Sequence, residues 1–367
     1  MQALILAGGE GTRLRPLTST VPKPVVPLVD RPFIAYMLDW LRRHGVDDVV
    51  LSCGFMASGV RNVLGDGDAY GMRLRYVEEP EPLGTGGAVK LAEPLLDERF
   101  LMLNGDTLTD LDLSAQVARH EQTRAPATLG LVPVDDPSGY GLVRLDGDGR
   151  VTGFLEKPSP DQIDTNLVSG GVYVLERSVL DLMPTAGRPC SIERDVFPEL
   201  IGRGLQGVPS EAYWLDIGTP ARYLQATFDI LEGEVQTPVS ERMGSGYRAV
   251  AEDVDLQGRV IPPALVESGC RLAAGAHVGA RVVLGPGVSI GEDSVIEQSV
   301  VLRGAEIGRG CHLDGCIVAA GVRIGAGCTV RDGAVLGEGV TLGAGNELTA
   351  GARVFPNVSL PEGAIRF

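Results

Sequence analysis

Over the first 232 residues, short apolar runs alternate with stretches in which apolar residues recur every three or four positions. The short runs predict β-strands at 2–7, 47–53, 99–103, 127–134, 151–156 and 168–175. The recurring apolar positions predict helices that end at Gly45 or span 113–122, 193–203 and 219–232. Alternating strands and helices are typical of an α/β domain, with a mostly parallel sheet and helices on both faces. Ligands of such sheets bind beyond the carboxyl ends of the strands, so the loops after 2–7 and 99–103 are the candidate site.

A different pattern begins near residue 251, where aliphatic residues recur every six positions. The series starts at Leu272, includes Leu302 and ends at Val354, with two steps of five residues. The position two residues before each is mostly small or β-branched. About fifteen such hexapeptides predict a left-handed parallel β-helix with short strands and tight turns. Four cysteines fall on the small position and are expected to fill the core: Cys270, Cys311, Cys316 and Cys328.

These two patterns divide the chain into two domains, as its length of 367 residues also suggests. We predict an α/β domain over 1–232 and a β-helix over 251–367. The segment between them, 233–250 (GEVQTPVSERMGSGYRAV), is polar with scattered small residues and is interpreted as a linker. A β-helix has a regular surface and a terminal coil that needs cover. We therefore expect a homo-oligomer built through this tail.

The composition narrows the classes of partner. The net charge of −16 argues against binding to the phosphate backbone of nucleic acids. No apolar run reaches the ~18 residues that span a bilayer. The start of the chain has no basic region, and its apolar stretch is too short for a signal peptide. We expect a cytoplasmic protein without a membrane partner. The six cysteines show no CxxC spacing, which argues against a zinc site or a redox pair.

A glycine-rich loop, GGEGT at 8–12, follows the first predicted strand and precedes basic residues set between prolines. Glycines in this place let backbone N–H groups approach a phosphate closely. Arg13 and Lys23 add positive charge, and the prolines limit the freedom of the loop. Only three of the 32 basic residues are lysines, and two of them, Lys23 and Lys157, stand directly before proline. Taken alone, GGxG is equally compatible with a tight turn that carries solvated arginines.

The full stretch GGEGTRLRPLT, followed by PKP at 22–24, resembles the signature of the sugar nucleotidyltransferases, also called nucleotide-sugar pyrophosphorylases. The resemblance continues in order through EPLGTGGA (81–88), LNGDT (103–107), FLEKP (154–158) and WLDIGTP (214–220). It covers essentially the whole chain, because many long members also carry a hexapeptide tail. EPLGTGGA and the tail most resemble the mannose-1-phosphate guanylyltransferase branch. The implied fold is a Rossmann-like nucleotidyltransferase domain followed by the left-handed β-helix.

The resemblance implies an enzyme in which a sugar 1-phosphate attacks the α-phosphorus of a nucleoside triphosphate and releases diphosphate, with GTP and mannose 1-phosphate favoured. The implied nucleotide-binding residues are Leu6, Gly8, Gly9, Gly11, Thr12, Arg13, Glu79, Gly84 and Thr85. The implied residues on the sugar-phosphate side are Gly141, Glu156, Lys157 and Ser169. The implied catalytic residues are Arg13, Lys23, Asp106 and Asp216, and the two aspartates would bind Mg²⁺. By itself Asp106 is also compatible with a turn aspartate, and Asp110 and Asp112 are expected to cap the helix at 113.

Two positions bear on the choice of substrates. By the family motif, Glu79 falls where thymidylyl-transferring relatives carry a glutamine that faces the base. A carboxylate accepts both adjacent donors of guanine, whereas uracil and thymine would present carbonyl groups to it. The other interpretation is that Glu78 and Glu79 belong to an acidic, solvated loop. Ser169, in VSGG at 168–171, stands where relatives often have the asparagine of INAG, so the sugar stays open.

Three alternatives remain open from the sequence. The substrate could be glucose 1-phosphate or heptose 1-phosphate, with UTP, dTTP or GTP. The chain could be a non-catalytic regulatory homologue, although Lys23 and both aspartates are present. The β-helix could carry an added acyltransferase activity with a histidine base, for which His277 and His312 are the candidates.

Overall fold

The computed structural model describes residues 1–366. The chain forms two compact units. The first unit joins Met1–Glu10 to Met37–Trp214, and the second joins Gly11–Tyr36 to the chain from Leu215 onward. The opening segment therefore belongs to the same unit as the tail. Within residues 1–366, no helix has both the length and the apolar character to span a bilayer.

The first unit is built on a nine-stranded sheet. Its strands are β1 (Gln2–Ala7), β2 (Asp48–Cys53), β3 (Arg73–Glu78), β4 (Arg99–Asn104), β5 (Ala127–Pro133), β6 (Gly141–Leu145), β7 (Val151–Glu156), β8 (Leu167–Glu176) and β9 (Gln206–Pro209). The order across the sheet is β7-β6-β8-β4-β1-β2-β3, with β5 paired to β8 and β9 paired to β5. Strands β4, β1, β2 and β3 run parallel, whereas β8 is antiparallel to β4, β5 and β6. The Rossmann-like part is this parallel half, and the loops after β1 and β4 leave from its carboxyl edge.

Six of the nine strands lie within one residue of the predicted apolar runs. The strands that the pattern did not indicate are β3, β6 and β9. Strand β3 reads RLRYVE and is partly exposed, because it is an edge strand whose polar side chains face solvent. Strands β6 and β9 have only five and four residues. Short and partly exposed strands carry too few apolar positions to show a period.

The helices of the chain are α1 (Phe33–Arg43), α2 (Ala57–Leu64), α3 (Gly84–Ala92), α4 (Leu113–Thr123), α5 (Phe197–Leu200), α6 (Pro220–Glu232) and α7 (Pro238–Met243). The predicted end of the first helix is confirmed, since Gly45 follows α1 with a φ of +74°. The helix predicted over 193–203 is wrong in extent. A π-helical turn at Ile192–Val196 leads into α5, and Gly202 and Gly204 both have positive φ. These glycines end the helix before the predicted boundary.

A continuous apolar core supports the central strands of the first unit. Leu4, Val50, Phe100, Leu129 and Tyr173 belong to one cluster and are at most 1% exposed. Burying a large apolar side chain contributes about 1.5–3 kcal/mol. The strand ends that carry the candidate site are therefore held by a packed layer beneath them.

The second unit contains the β-helix, whose three sheets are parallel throughout. The first sheet comprises Arg248–Val250, Ala264–Val266, Val282–Leu284, Val300–Val301, Ile317–Val318, Val335–Leu336 and Arg353–Val354. The second comprises Asp255–Leu256, Arg271–Leu272, Ser289–Ile290, Glu306–Ile307, Arg323–Ile324, Thr341–Leu342 and Ser359–Leu360. The third comprises Arg259–Val260, His277–Val278, Val295–Glu297, His312–Asp314, Thr329–Arg331 and Glu347–Leu348. This is the left-handed parallel β-helix that the hexapeptides predict.

The stacking corrects one position in the predicted register. Leu284 pairs with Val301, and Val301 pairs with Val318, so Val301 occupies the stacked position that the count of six gives to Leu302. The step of five therefore falls before residue 301 and not after 302. Both residues are buried and aliphatic, at 0% and 6% exposure, which is why the sequence does not distinguish them.

The four cysteines of the tail lie in the β-helix core, as expected: Cys270, Cys311, Cys316 and Cys328. Three of their thiols donate to a backbone carbonyl group of the next coil. Cys270 donates to Gly285 at 3.2 Å, and Cys328 donates to Gly343 at 3.2 Å. Burial raises the pKa of the Cys316 thiol to about 12. Thiols held in this way act as small apolar core residues.

The outer faces of the three sheets differ. In the first sheet, the outward residues of the strands from Ala264–Val266 to Val335–Leu336 are also fully buried, for example Leu265, Val283 and Ile317, whereas Arg353 in the last strand is exposed. On the second sheet the outward residues are mostly polar and exposed, for example Arg271 and Glu306. The first sheet is thus buried on both faces over these five strands. Residues 233–250, interpreted as a linker, contain α7 and the first strand of this sheet, and the domain boundaries stay a prediction.

Candidate active site

The loop after β1 begins in the first unit with two glycines in different surroundings. A Cβ atom added to Gly8 would lie 2.7 Å from Oε1 of Glu79, and one added to Gly54 would lie 2.8 Å from the carbonyl oxygen of Gly8. Gly54 is therefore required where the backbone comes close at the ends of β1 and β2, and Gly8 leaves room for the Glu79 carboxylate. A Cβ added to Gly9 would meet no atom within 4 Å. The backbone at Gly9 is open, which is the property that the phosphate-loop interpretation needs.

Glu79, the predicted base-reading residue, follows β3 and has a fixed carboxylate. Its Oε1 accepts a hydrogen bond from Ser52 Oγ at 3.0 Å, and its Oε2 accepts one from the backbone N–H of Leu83 at 3.4 Å. Burial, with the Glu79 charge second, raises the pKa of the neighbouring Cys53 thiol to about 12. A carboxylate offers about four acceptor positions, so these two bonds leave capacity on both oxygens. The role toward a base stays a prediction.

From Gly11 onward the loop belongs to the second unit, and there Gly11 packs against the side chain of Lys23. Gly11 has a φ of +62°, and a Cβ added there would lie 3.0 Å from Cβ of Lys23. The hydroxyl of Thr18 donates to the Gly11 carbonyl oxygen at 2.7 Å. Lys23 is only 8% exposed, so the aliphatic part of its side chain is packed inside the protein. Thr12 begins a 3-10 turn, Thr12–Leu14, directly after Gly11.

Arg13 lies against the segment WLDIGTP within the second unit. A Cβ added to Gly218 would lie 2.7 Å from Nη2 of Arg13 and 3.0 Å from its Cζ. Gly218, which lies two residues after Asp216, therefore leaves room for the guanidinium group of Arg13. The next residue, Thr219, caps α6 by accepting the N–H of Arg222 at 3.3 Å. The structure thus brings together one basic and one acidic motif that the sequence separates by 200 residues.

Asp106 lies in the first unit, just beyond β4, at a position set by Gly105. The N–H of Gly105 donates to the carbonyl oxygen of Leu6 at 2.9 Å, and a Cβ added to Gly105 would lie 2.5 Å from that oxygen. Asp106 therefore follows the point where the ends of β1 and β4 meet, which is the ligand edge of a parallel sheet. In residues 1–366, no group of three or more His, Cys, Asp or Glu side chains could hold a metal ion. A carboxylate at this edge suits a hard cation that takes its other ligands from phosphate and water.

The expected caps of α4 are half confirmed. Asp112 caps the helix, since its carboxylate accepts the N–H of Ala115 at 3.0 Å. Asp110 does not cap it. Its Oδ1 accepts the backbone N–H of Tyr213 at 2.9 Å instead, which ties the segment before α4 to the residue that precedes WLDIGTP.

The glycines of EPLGTGGA pack against the segment 188–192. Gly84 has a φ of +70°, and an added Cβ would lie 2.7 Å from the carbonyl oxygen of Cys190. That oxygen accepts the N–H groups of Gly86 and Gly87 at 2.9 and 3.1 Å. Thr85 donates its hydroxyl hydrogen to Glu193 at 2.6 Å. These hydrogen bonds join the loop to Cys190 and Glu193. A direct contact of Gly84 and Thr85 with the nucleotide stays a prediction.

Glu156, at the end of β7, faces the start of β6. A Cβ added to Gly141 would lie 3.1 Å from Oε2 of Glu156 and 2.7 Å from the ring of Phe154, so glycine makes room for both. Burial, followed by the charge of Glu193, raises the pKa of the Glu156 carboxyl group. Lys157 has an unusual φ of +53° for a lysine, and its N–H donates to the carbonyl oxygen of Tyr140 at 3.0 Å. Its side chain is exposed beside the site.

The segment VSGG (168–171), which stands where relatives often have INAG, forms a bulge in β8. The hydroxyls of Ser169 and Tyr173 lie 2.8 Å apart, and the pairing of β8 with β5 is irregular between these two residues. Gly171 has a φ of +71°, and an added Cβ would lie 2.8 Å from Nδ2 of Asn104. Trp214 donates its indole N–H to the carbonyl oxygen of Gly170 at 2.8 Å. The bulge thus sets Gly171 beside Asn104 of LNGDT, while Ser169 contacts Tyr173.

Glu193 is a residue of the site whose role the sequence reasoning missed. It accepts hydrogen bonds from Thr85 and from Ser191 Oγ, the latter at 2.8 Å. It also acts on the pKa of Glu156, and after burial it is the next cause of the raised pKa of Tyr173. The motif SIERD at 191–195 was the available signal, but its residues had no assignable roles without the contacts.

The candidate acyltransferase histidines lie on the third sheet of the β-helix. His277 pairs with Val295, and Val295 pairs with His312, so one coil separates the two imidazoles. Both histidines are exposed. This placement does not join them into one site.

Comparison with known proteins supports the motif assignment. Residues 2–233 match the family described as Nucleotidyl transferase, and residues 260–365 match the family described as GMPPB C-terminal domain. A mannose-1-phosphate guanylyltransferase of Mycobacterium tuberculosis is 36% identical over 294 residues, which cover 79% of this chain and 78% of that protein. A UTP–glucose-1-phosphate uridylyltransferase of Synechocystis is 31% identical over 325 residues, which cover 82% of each. The crystal structure of HddC from Yersinia pseudotuberculosis, 31% identical, covers 61% of this chain and 97% of that one with a TM-score of 0.54.

A glycine loop and an NGDT turn at the carboxyl edge of a parallel sheet define an enzyme that transfers a nucleotidyl group. The chain belongs to the nucleotidyl transferase family. Its tail is similar to the C-terminal domain of the second family. The resemblance inferred from the sequence is confirmed. Enzymes of this kind generally use a divalent metal ion, and the named relatives act on sugar 1-phosphates.

Proposed function

We propose that this enzyme joins GTP and α-D-mannose 1-phosphate to give GDP-mannose and diphosphate. The observation that carries the proposal is the 36% identity to a mannose-1-phosphate guanylyltransferase over 79% of the chain. The match of residues 260–365 to the GMPPB C-terminal domain supports it, because the likeness then extends through the tail. A regulatory homologue could tolerate the loss of catalytic groups, whereas Lys23, Asp106 and Asp216 are all present here.

The chemistry requires charge and positioning more than proton transfer. A phosphate oxygen of the sugar 1-phosphate is already an anion, so it attacks the α-phosphorus without a catalytic base, and diphosphate leaves in line. The barrier is the repulsion between two polyanions and the charge that develops on the leaving group. Arg13 and Lys23 would offset this charge from the nucleotide side. The buried stem of Lys23 against Gly11 supports a fixed position for its ammonium group.

The sugar side would be held by the two residues before Pro158. Glu156 would accept hydrogen bonds from sugar hydroxyls, and the exposed Lys157 would reach the phosphate of the sugar. An ionised carboxylate accepts such bonds more strongly than a protonated carboxyl group does, so the raised pKa of Glu156 bears directly on binding. Gly141 and Ser169 would shape the same side.

Asp106 and Asp216 would hold a Mg²⁺ ion. When bound, this ion would screen the phosphates of the nucleotide and polarise the α-phosphorus for attack. Carboxylates combined with phosphate oxygens and water are the donors that Mg²⁺ prefers. The proposal of Mg²⁺ therefore rests on the chemistry of these two carboxylates, which are donors of the kind that this ion takes.

The choice of base rests on Glu79. Its carboxylate is held by Ser52 and Leu83, which support a fixed orientation beside Gly8. Guanine would offer it two adjacent donors, worth roughly 1.5–3 kcal/mol for a charged hydrogen bond. The competing function is a uridylyltransferase that acts on glucose 1-phosphate, which the Synechocystis relative at 31% identity favours.

Initial rates of diphosphate release test the proposal. The purified enzyme is assayed with each of GTP, UTP, dTTP and ATP against mannose, glucose and a heptose 1-phosphate. The proposal predicts the highest kcat/KM for GTP with mannose 1-phosphate. A preference for UTP with glucose 1-phosphate would replace it by the competing function. The cytoplasmic location and the homo-oligomer stay predictions from the sequence.

A further inference from the structure

The opening segment Gly11–Tyr36 is held by the β-helix, with which it shares a compact unit. Arg353, in the last strand of the first sheet, donates from Nη1 to the carbonyl oxygens of Arg13 at 3.1 Å and Arg15 at 2.9 Å. Thr20 donates to Oε2 of Glu338 at 2.8 Å. These contacts join residues that are more than 300 positions apart in the sequence. They connect the end of the tail to the loop of the candidate active site.

The contact of Arg353 satisfies the end of a short turn. In the turn Thr12–Leu14, the N–H of Leu14 donates to Gly11 and the N–H of Arg15 donates to Thr12. The carbonyl groups at the end of such a turn lack partners within it and carry partial negative charge. A guanidinium group that binds two of them fixes the turn from outside.

The fixed turn carries a residue of the proposed mechanism. The carbonyl group of Arg13 is bound by Arg353, while the guanidinium group of Arg13 lies against Gly218, which follows Asp216 by two residues in the sequence. A displacement of the turn would move this side chain away from WLDIGTP. Catalysis by positioned charge is sensitive to shifts of this kind.

The other end of the segment is also anchored to the tail. Asp30, whose side chain is only 5% exposed, pairs with Nη1 of Arg242 in α7 at 2.8 Å. Nη2 of the same arginine pairs with Glu267 of the β-helix at 3.0 Å. Arg242 therefore bridges the opening segment and an early coil, so the segment is bound at both ends.

We infer that the β-helix positions the phosphate-binding loop of its own chain, and that Arg353 is the positioning residue. The tail is then part of the active enzyme and not only a means of assembly. The inference rests on the role proposed for Arg13 and is independent of which base or sugar is used.

Arg353→Ala tests the inference, with Arg323→Ala as the matched control. Arg323 is an exposed arginine on the second sheet, and its side chain lies 3.7 Å from Glu306. Two quantities are measured in the full-length protein: amide hydrogen exchange over residues 12–20 without substrate, and kcat and KM with the nucleotide that the wild type uses best. Arg353→Ala should accelerate exchange over 12–20 and lower kcat/KM for the nucleotide by about 10-fold. Arg323→Ala should change neither by more than about two-fold.

Arg353→Lys is measured beside these variants, because it keeps the stem and the charge but replaces the fork by one ammonium group. An intermediate effect on both quantities supports positioning. Unchanged exchange and unchanged kcat/KM in Arg353→Ala would overturn the inference, as would faster exchange spread over the whole of 335–366, which would show a disrupted coil. Hydrogen exchange is measured without substrate. Its result therefore tests the role of Arg353 even if GTP and mannose 1-phosphate prove not to be the substrates.

Discussion

Replacing Gly105 with alanine should disable the enzyme while leaving its fold in place. The added Cβ would lie 2.5 Å from the carbonyl oxygen of Leu6, roughly 1 Å inside ordinary van der Waals contact. The neighbour is backbone of the central strand β1, which is packed and cannot yield, so the turn that carries Asp106 must move. A misplacement of about 1 Å can cost on the order of 10²-fold in rate. Overpacking of this kind typically costs about 1–3 kcal/mol of stability.

The assay is diphosphate release with GTP and mannose 1-phosphate, together with a titration of Mg²⁺ and a thermal melt. Gly105→Ala should lower kcat/KM by about 10²-fold and raise the Mg²⁺ concentration needed for half-maximal rate. Gly147→Ala is the matched control, because a Cβ added there would meet no atom within 4 Å. A Gly105→Ala enzyme that keeps more than about a third of the wild-type kcat/KM would refute the reasoning.

Four other outcomes are expected. Lys23→Ala, Asp106→Ala and Asp216→Ala should each lower kcat by on the order of 10²-fold or more, and chelation of divalent metal should abolish turnover; a near-normal Lys23→Ala enzyme would remove its assigned role. Because the pKa of Glu156 is raised, this carboxylate is protonated at a higher pH than an ordinary glutamate. As the pH falls, KM for the sugar 1-phosphate should therefore rise at a higher pH than an unshifted glutamate would cause. KM of Glu156→Gln should not change over that pH range. Glu79→Gln should reduce the ratio of kcat/KM for GTP over dTTP; an unchanged ratio would mean that another residue reads the base. Sedimentation at micromolar concentration should show a homo-oligomer, and a monomer would exclude assembly through the β-helix.

The parallel strands and the β-helix could be predicted because each buries a continuous apolar row. Strands β1, β2 and β4 are central, so nearly every position is apolar, and the hexapeptides repeat the same inward residue in each coil. Edge strands such as β3 face solvent and show no such row. The repeat assigned Leu302 to the stacked position that Val301 occupies because both adjacent residues are buried and aliphatic, so the periodicity alone cannot distinguish them.

The candidate site divides along a similar line. Glycines indicated where other groups come close: a Cβ would clash with backbone at Gly105 and with side chains at Gly8 and Gly141. What the sequence could not supply were contacts between distant segments. The bonds of Glu193 to Thr85 and of Arg353 to the opening turn depend on how strands and coils are stacked. No local pattern records such pairs.

A competition experiment tests the central claim most directly. The purified full-length enzyme is incubated with equal concentrations of GTP, UTP, dTTP and ATP together with mannose and glucose 1-phosphates, and the nucleotide sugars formed at low conversion are identified by mass spectrometry. Because substrates compete in one vessel, the product ratio reports the ratio of kcat/KM values. The account predicts GDP-mannose as the main product. UDP-glucose or a thymidylyl sugar as the main product would contradict it.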